Sequence, residues 1–564
     1  MSERSSVFTE AFRLSTIPNE KKLTQDEVVF LFNYFTTNTN QVANAELARL
    51  FEDFCTPCKL NTTLYILSNL YARKRWVYSF IYSFFAGKRK RPEDDNQFAI
   101  TEEMKTFASV LPWNKLNAIP SSQSVISLPN NICFLGSSNL GSKIFVRKAY
   151  KELWEIISIQ HPGHDFLITG NPGIGKTFFN LFLLYILVGI GKTVVFQTDQ
   201  ETRYKFSNGA VVELTTIQHL RVVLNDPQVY YLLDTMEPQI KLCNARKIVV
   251  SSPNRERYKE YEKGKLVDTR IMPTWDLEEL EILQSIIHLN TDFIKLRELY
   301  SLWGGIPRYV VEKAEMESSQ RLLEVALATA DFDKIIQSIG NIDSKKDVSH
   351  RLIHITCDEK YLQTGVIFAS KWIADNLLDR FEQLCFEKVK SFLFGNGGQS
   401  ACSGLRGQLF EAYAHKVLVR GNKSYRVRNL EDGKEFQKHF TACEHVLFTQ
   451  LSNINRTEHK GKYCQPKSRT FCAIDAFILG QSNTINTLFQ MTVSSNHPIK
   501  AHELEKVMNI GTSHDLYEFY FVVPPEIWND FTKQKYVNLN DTNRKRLGHL
   551  SQITQYVLEM PLYL

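Results

Sequence analysis

Gly170-Asn171-Pro172-Gly173-Ile174-Gly175-Lys176-Thr177 has the spacing G-x-x-x-x-G-K-T, and these residue types in this order suit the polyphosphate of a nucleoside triphosphate. Gly170, Gly173 and Gly175 permit turns that a Cβ would block, so successive main-chain N–H groups can converge on the β- and γ-phosphates. Lys176 brings a cation to the same phosphates and Thr177 a hydroxyl to Mg²⁺. The pattern needs a strand before it and a helix after it. The apolar run Phe166 to Thr169 reads as the strand, and about Thr177 to Val188 reads as a helix whose positive end faces the nucleotide.

A triphosphate site also needs an acid at the end of a neighbouring strand to hold the Mg²⁺ shell, and Val229 to Leu233 leads into Asp234. In many such sites a glutamate follows directly and polarises the attacking water. Here Thr235 follows and the next acid is Glu237, so ATP or GTP with Mg²⁺ is expected to bind, and hydrolysis lacks its usual base. The strand Lys247 to Val250 runs into Ser251 and Ser252, which either sense the γ-phosphate or close a turn before Pro253. Trp303-Gly304-Gly305-Ile306-Pro307-Arg308 sets Arg308 just inside a helix start, from which a lid could reach the phosphates.

The elements that must position these residues follow from periodicity. Short β-rich runs (Phe166–Thr169, Thr193–Gln197, Val229–Leu233, Lys247–Val250) alternate with helical stretches, which is the pattern of a parallel α/β sheet, and helices dominate from there to about residue 335. Residues 125–340 thus read as a nucleotide-binding module with a helical lid. Residues 1–115 read as a helical accessory region. Residues 341–398 read as a connecting region with a long amphipathic helix, closed by the cluster Gly395-Asn396-Gly397-Gly398, and 399–564 as a further α/β domain. Lys88-Arg89-Lys90-Arg91 before Pro92 is the kind of run an import receptor recognises, and solvated charge runs have the same appearance.

With 564 residues the chain has room for about three or four cores. A net charge of +6 is too small for a general nucleic-acid coat, though residues 415–470 hold twelve Lys or Arg against five Asp or Glu, interleaved with Tyr425, Phe436 and Phe440. Ten cysteines lack a zinc spacing, since the C-x-x-C pair Cys55 and Cys58 has no second pair, and they are expected to be reduced. The N-terminus shows no apolar signal-peptide core. Leu60 to Phe85 is broken by Arg73, Lys74 and Arg75, and Phe178 to Ile190 is too short to span, so no membrane partner is expected. Self-association is left open.

The segments IFVRKAYKELWEII, VYYLLDTMEP, KIVVSSPNRERYKEY, MPTWDLEEL and GGIPRY together resemble the ATPase module of Crinkler effectors and retrotransposon hot spot proteins, over roughly residues 125–340. The resemblance implies an AAA-like or signal-transduction-like P-loop ATPase joined to a C-terminal toxin domain, secreted and delivered into host cells, often to the nucleus. No leucine-rich L-F-L-A-K segment is found at the N-terminus.

The C-terminal block resembles that family's restriction-endonuclease-like domain over about residues 400–530. What this implies is DNA as a partner, Mg²⁺ held by Glu411 on a helix and Asp475 on a strand, and a lysine to neutralise the developing phosphorane. On the next strand the usual acid-x-Lys stands as Gln490-Met491-Thr492. Gln490 can ligate through its carbonyl, and His497 and Lys500 are near enough in sequence to substitute for the missing lysine. Cleavage and binding without cleavage both remain open.

Overall fold

The β-rich runs fold as strands flanked by α1 Lys148–Ile159 and α2 Lys176–Gly189: β1 Asp165–Thr169, β2 Val194–Gln197, β3 Arg203–Ser207, β4 Ala210–Glu213, β5 Tyr230–Asp234, β6 Arg246–Val250 and β7 Val267–Ile271. They make one sheet in the order β4-β3-β2-β5-β6-β1-β7. From β2 to β7 every neighbouring pair is parallel, as the expected α/β fold requires. Strands β3 and β4 add an antiparallel edge, so the sheet is mixed rather than wholly parallel. Strands β1 and β6 are buried throughout, which is why they read as unbroken apolar runs. Helix α2 is apolar on nearly every side because it, too, is packed all round.

The computed structural model describes residues 100–160, 163–253, 258–264, 266–287, 292–337, 348–394, 403–467, 474–480, 485–510, 515–537 and 552–561. All belong to one unit, Phe98–Leu564. The run Lys88–Arg91, the pair Cys55 and Cys58, most of the helical N-terminal region and the Gly395–Gly398 cluster lie outside the described residues. The six cysteines within them are free thiols. No helix among the described residues is long and apolar enough to cross a membrane.

The span expected to form a lid holds the helices α3 Leu277–Ile287, α4 Phe293–Trp303 and α5 Glu317–Ala328. Between α4 and α5, a wide helical turn, Arg308–Glu312, is held by Trp303, whose ring stacks on Tyr309 at 3.9 Å and whose Nε1 donates to Gln320 at 2.6 Å. Next comes a pair of antiparallel strands, β8 Ile353–Cys357 and β9 Gln363–Phe368, in the span read as a connecting region. It leads into the expected long helix, α6 Lys371–Phe394, and then α7 Ser403–Arg420.

A second, eight-stranded sheet follows, built from β10 Lys423–Asn429, β11 Glu435–Phe440, β12 His445–Phe448, β13 Tyr463–Pro466, β14 Ala476–Ile478, β15 Asn486–Met491, β16 Tyr517–Val523 and β17 Ile553–Glu559. Its order is β11-β10-β17-β16-β15-β14-β13-β12. One apolar core runs from Phe166 and Phe179 through Trp303, Phe368 and Leu377 to Leu409 and Phe489. The two sheets are therefore packed onto the same intervening helices rather than joined by a loose linker.

Candidate functional site

Strand β1 ends at Thr169 and α2 opens at Lys176, so the glycine-rich loop sits at the C-terminal edge of the parallel strands, where such sheets bind ligands. Two aromatic side chains hold its peptide planes. The Tyr150 hydroxyl donates to the Gly175 carbonyl at 2.6 Å and Trp275 Nε1 donates to the Ile174 carbonyl at 2.8 Å. Trp275 is itself fixed by Arg147, which is 1% exposed and lies 4.5 Å from the indole ring. Arg147 donates to the carbonyls of Pro273 and Thr274 at 2.9 and 3.1 Å and forks onto Glu279 at 2.7 and 3.1 Å. None of these three residues is signalled by the local motif.

Asn171 departs from expectation in its role. Its side chain accepts from the Ile355 N–H at 2.9 Å and donates to the Ile353 carbonyl at 2.7 Å, so it ties the loop to β8 instead of facing a phosphate. Pro172 has no N–H to offer.

Lys176 Nζ donates to the carbonyls of Gly170 and Asn171, both at 2.7 Å, folded back over its own loop. Burial lowers its pKa to about 7, the Arg308 charge adds to the shift and Asp234 opposes it. A phosphate would supply the anion this ammonium lacks. Thr177 Oγ1 donates to Asp234 Oδ2 at 2.6 Å. These are the two protein oxygens that a nucleotide-borne Mg²⁺ needs, so the residues present fit both the triphosphate and its metal. Arg308 also reaches the loop: its N–H donates to the Gly173 carbonyl at 3.4 Å, and a Cβ added to Gly173 would lie 2.8 Å from Arg308 Cβ. Glu237 pairs with Lys241 at 3.1 Å. Ser251 is buried and its hydroxyl donates to the Ser252 carbonyl at 3.0 Å.

The C-terminal acids also come together. Glu411 on α7 and Asp475 just before β14 share a cation that the sequence reading misses: Lys371, the first residue of α6, contacts Glu411 Oε1 and lies 4.0 Å from Asp475 Oδ1. Burial pushes the Glu411 carboxyl up, but the Lys371 charge and His415 outweigh it and hold the group below the usual carboxylate range. Burial followed by the Glu411 charge raises Asp375 to about 7, and burial lowers His415 to about 4. Asp475 Oδ2 accepts from Gln490 Nε2 and from the Met491 N–H, both at 2.7 Å.

No protein-family model matches the chain. Two curated relatives do, Crinkler effector proteins 15 and 16 of Phytophthora infestans, each 25% identical over 386 residues, or 65% of this chain. The chain resembles the Crinkler effectors. Its match spans 60% of the length of those two relatives. Among solved structures, the RuvB Holliday junction branch migration motor of Thermotoga maritima overlaps 47% of this chain and 84% of its own, at 11% identity and a TM-score of 0.21.

Beside the Crinkler resemblance, the remaining expected residues divide. His497 lies within electrostatic range of Glu411, and burial followed by the Lys500 charge lowers its pKa. Lys500 is exposed. Thr492 is taken up by a turn, its hydroxyl accepting from the Ser494 N–H at 3.0 Å. Five of the twelve basic residues in this stretch are paired internally: Lys416 with Asp379 and Glu382, Arg426 with Glu435, Lys438 with Glu518, Arg456 with Asp515 and Lys462 with Glu444. Tyr425 and Phe440 are core residues packed 5.9 Å apart, so of the three aromatics interleaved with the basic residues only Phe436 is exposed.

Proposed function

We propose that this chain is a P-loop ATPase of the secreted-effector type whose nucleotide state controls a DNA-directed, endonuclease-like C-terminal domain, acting in a host nucleus. The observation that carries the reading is the bonded route between the two sites. Asn171 in the glycine-rich loop is hydrogen-bonded to β8, β8 pairs with β9, and Phe368 at the end of β9 donates its N–H at 2.6 Å to Gln408, one turn before Glu411 on α7. Three residues past Phe368 stands Lys371, which contacts Glu411. A change in the loop on binding a triphosphate thus has a continuous, well-packed path to the acid pair.

At the loop, Lys176 would pair with the β- and γ-phosphates, Thr177 and Asp234 would hold the nucleotide's Mg²⁺, and Arg308 would approach from the lid. Bound Mg²⁺ supplies charge neutralisation at the transferring phosphoryl group. The loop amides, fixed by Tyr150 and Trp275, are preorganised, which lowers the ordering needed on binding. Without a glutamate next to Asp234, turnover is expected to be slow, as suits a switch better than a motor. The nuclear and host setting is carried over from the Crinkler resemblance, and Lys88–Arg91 would be its import signal.

A second reading, in which the C-terminal domain binds DNA without cutting it, is favoured by Lys371, which already neutralises the acid pair. The test is ATP turnover and plasmid cutting by the wild type beside Lys176→Ala and Asp475→Ala. Turnover lost with Lys176→Ala supports the ATPase. Cutting lost with Asp475→Ala supports the nuclease, undiminished cutting refutes that site, and salt-dependent DNA retention without cutting supports the second reading.

A further inference from the structure

We propose that the Lys371 ammonium is a built-in cation that stands where a divalent ion would otherwise bridge Glu411 and Asp475, so that this site does not take up Mg²⁺. The inference rests on the second reading above, a nuclease-like domain that binds DNA without cutting it. In such a domain the two acids, delivered here by α7 and by the lead-in to β14, would be joined through a metal. In this chain they are joined by a side chain. Lys371 Nζ contacts Glu411 Oε1 and sits 4.0 Å from Asp475 Oδ1, with the lysine 9% exposed and both acids nearly enclosed.

The surroundings agree with an ammonium and disagree with a hydrated metal. Asp475 Oδ2 accepts two N–H groups, from Gln490 and Met491. Gln490 therefore turns its amide nitrogen to the acid, and not the carbonyl oxygen that a metal would require as its third ligand. His415 Nε2 lies 3.6 Å from the same Glu411 oxygen, and its Nδ1 is 2.7 Å from the Tyr463 hydroxyl. The cavity beside Glu411, lined by Lys371, Asp375, Gln408 and His415, measures about 10 Å³, room for about one water molecule. Mg²⁺ holds octahedral geometry and usually keeps several waters, whereas an ammonium brings three donors and needs no such shell once paired. Among the described residues no group of three or more His, Cys, Asp or Glu gathers that could hold a metal ion.

Lys371 is also delivered by a fixed main chain. It follows Ser370, whose hydroxyl donates to the Leu302 carbonyl at 2.8 Å and accepts from the Ile373 N–H at 3.2 Å. The residue before that pair of bonds is Ala369, whose N–H donates to the Leu352 carbonyl at 2.8 Å. The cation thus belongs to the scaffold.

The test is Mn²⁺ binding to the full chain without nucleotide, followed by electron paramagnetic resonance, with wild type compared against Asp475→Asn so that any ion at the glycine-rich loop cancels. Equal occupancy in the two supports the proposal; an ion bound by wild type and lost in Asp475→Asn overturns it. Lys371→Ala, which clears both the charge and the volume of the lysine stem, should gain one bound ion that the further change Glu411→Gln removes. A Lys371→Ala chain that is folded by circular dichroism and gains none overturns the proposal as well. If that variant does not fold, the wild-type comparison decides. Retention on DNA and binding of ATP, read on the same samples, separate the failures: loss of either strikes the functional reading, while the Mn²⁺ result bears on Lys371.

Discussion

The Thr177 hydroxyl donates to the Asp234 carboxylate at 2.6 Å, joining the first turn of α2 to the end of β5 across the intervening strand β6. Asp234 also accepts from the Thr235 hydroxyl at 2.7 Å, so both its oxygens are aimed before any ligand arrives. Thr177→Ala removes one of the two protein oxygens for Mg²⁺. It is expected to slow Mg²⁺-dependent ATP turnover at least tenfold, about 1.4 kcal/mol, while Thr177→Ser stays near wild type. Steady-state phosphate release checks both, and an Ala variant as active as the Ser variant would count against the assignment.

Gly173 and Arg308 are matched in shape. Gly173 has φ +85°, and a Cβ there would lie 2.8 Å from Arg308 Cβ. Gly173→Ala therefore adds backbone strain of roughly 1–2 kcal/mol to a steric clash. A lower melting temperature and weaker ATP binding are expected. In an Arg308→Gly background, which lacks that Cβ, Gly173→Ala should cost less stability than it does in the wild type, because the clash is relieved and the strain stays; an equal cost in the two backgrounds would mean that the two residues do not meet.

Asn171→Ala leaves the Ile355 N–H and the Ile353 carbonyl without the partners they have now, both in a buried strand. A cost of about 1–3 kcal/mol follows for the stranded groups. Hydrogen exchange should show the Ile355 amide losing protection in this variant, and unchanged protection would remove the link from loop to hairpin.

Burial lowers the Lys176 pKa to about 7 from an ordinary 10.5. Between those values the unfolded chain carries a proton on this lysine and the folded chain does not, so the fold gains stability as pH rises through that window. Below about pH 7 the full penalty of the buried ammonium is present. The melting temperature of the nucleotide-free wild type, relative to Lys176→Met, should rise from pH 7 to pH 9. A gap that does not change with pH would contradict this.

The placement of Gly170 to Thr177 between a strand and a helix, and of Asp234 at a strand end, was legible because it is written in adjacent residues or at the end of one apolar run. The strands and helices around them were legible for the same local reason. The roles of Tyr150, Trp275 and Arg147 were not, since each acts on a loop that it reaches only through the tertiary fold. The β3–β4 edge had a signal that went unread: Asn208-Gly209, with φ of 51° and 81°, is the two-residue hairpin turn for which Asn-Gly is preferred. Lys371 shows the harder limit. The sequence offers His497 and Lys500, near Gln490, as its cations, and the cation that the fold sets between Glu411 and Asp475 comes from the start of a helix earlier in the chain. The burial of Tyr425 and Phe440 was not legible, because a basic strand with alternating aromatics has the same composition whether its apolar face meets DNA or a core.

The most direct test is calorimetric titration of the folded, nucleotide-free chain with ATP and Mg²⁺, wild type beside Lys176→Ala. A saturable heat for the wild type, with affinity at least tenfold weaker in Lys176→Ala, is the predicted result, corresponding to about 1.4 kcal/mol or more for the lost charge-assisted contacts. No heat from the wild type at millimolar nucleotide, or equal affinity in the two proteins, would contradict the claim that this loop holds a triphosphate.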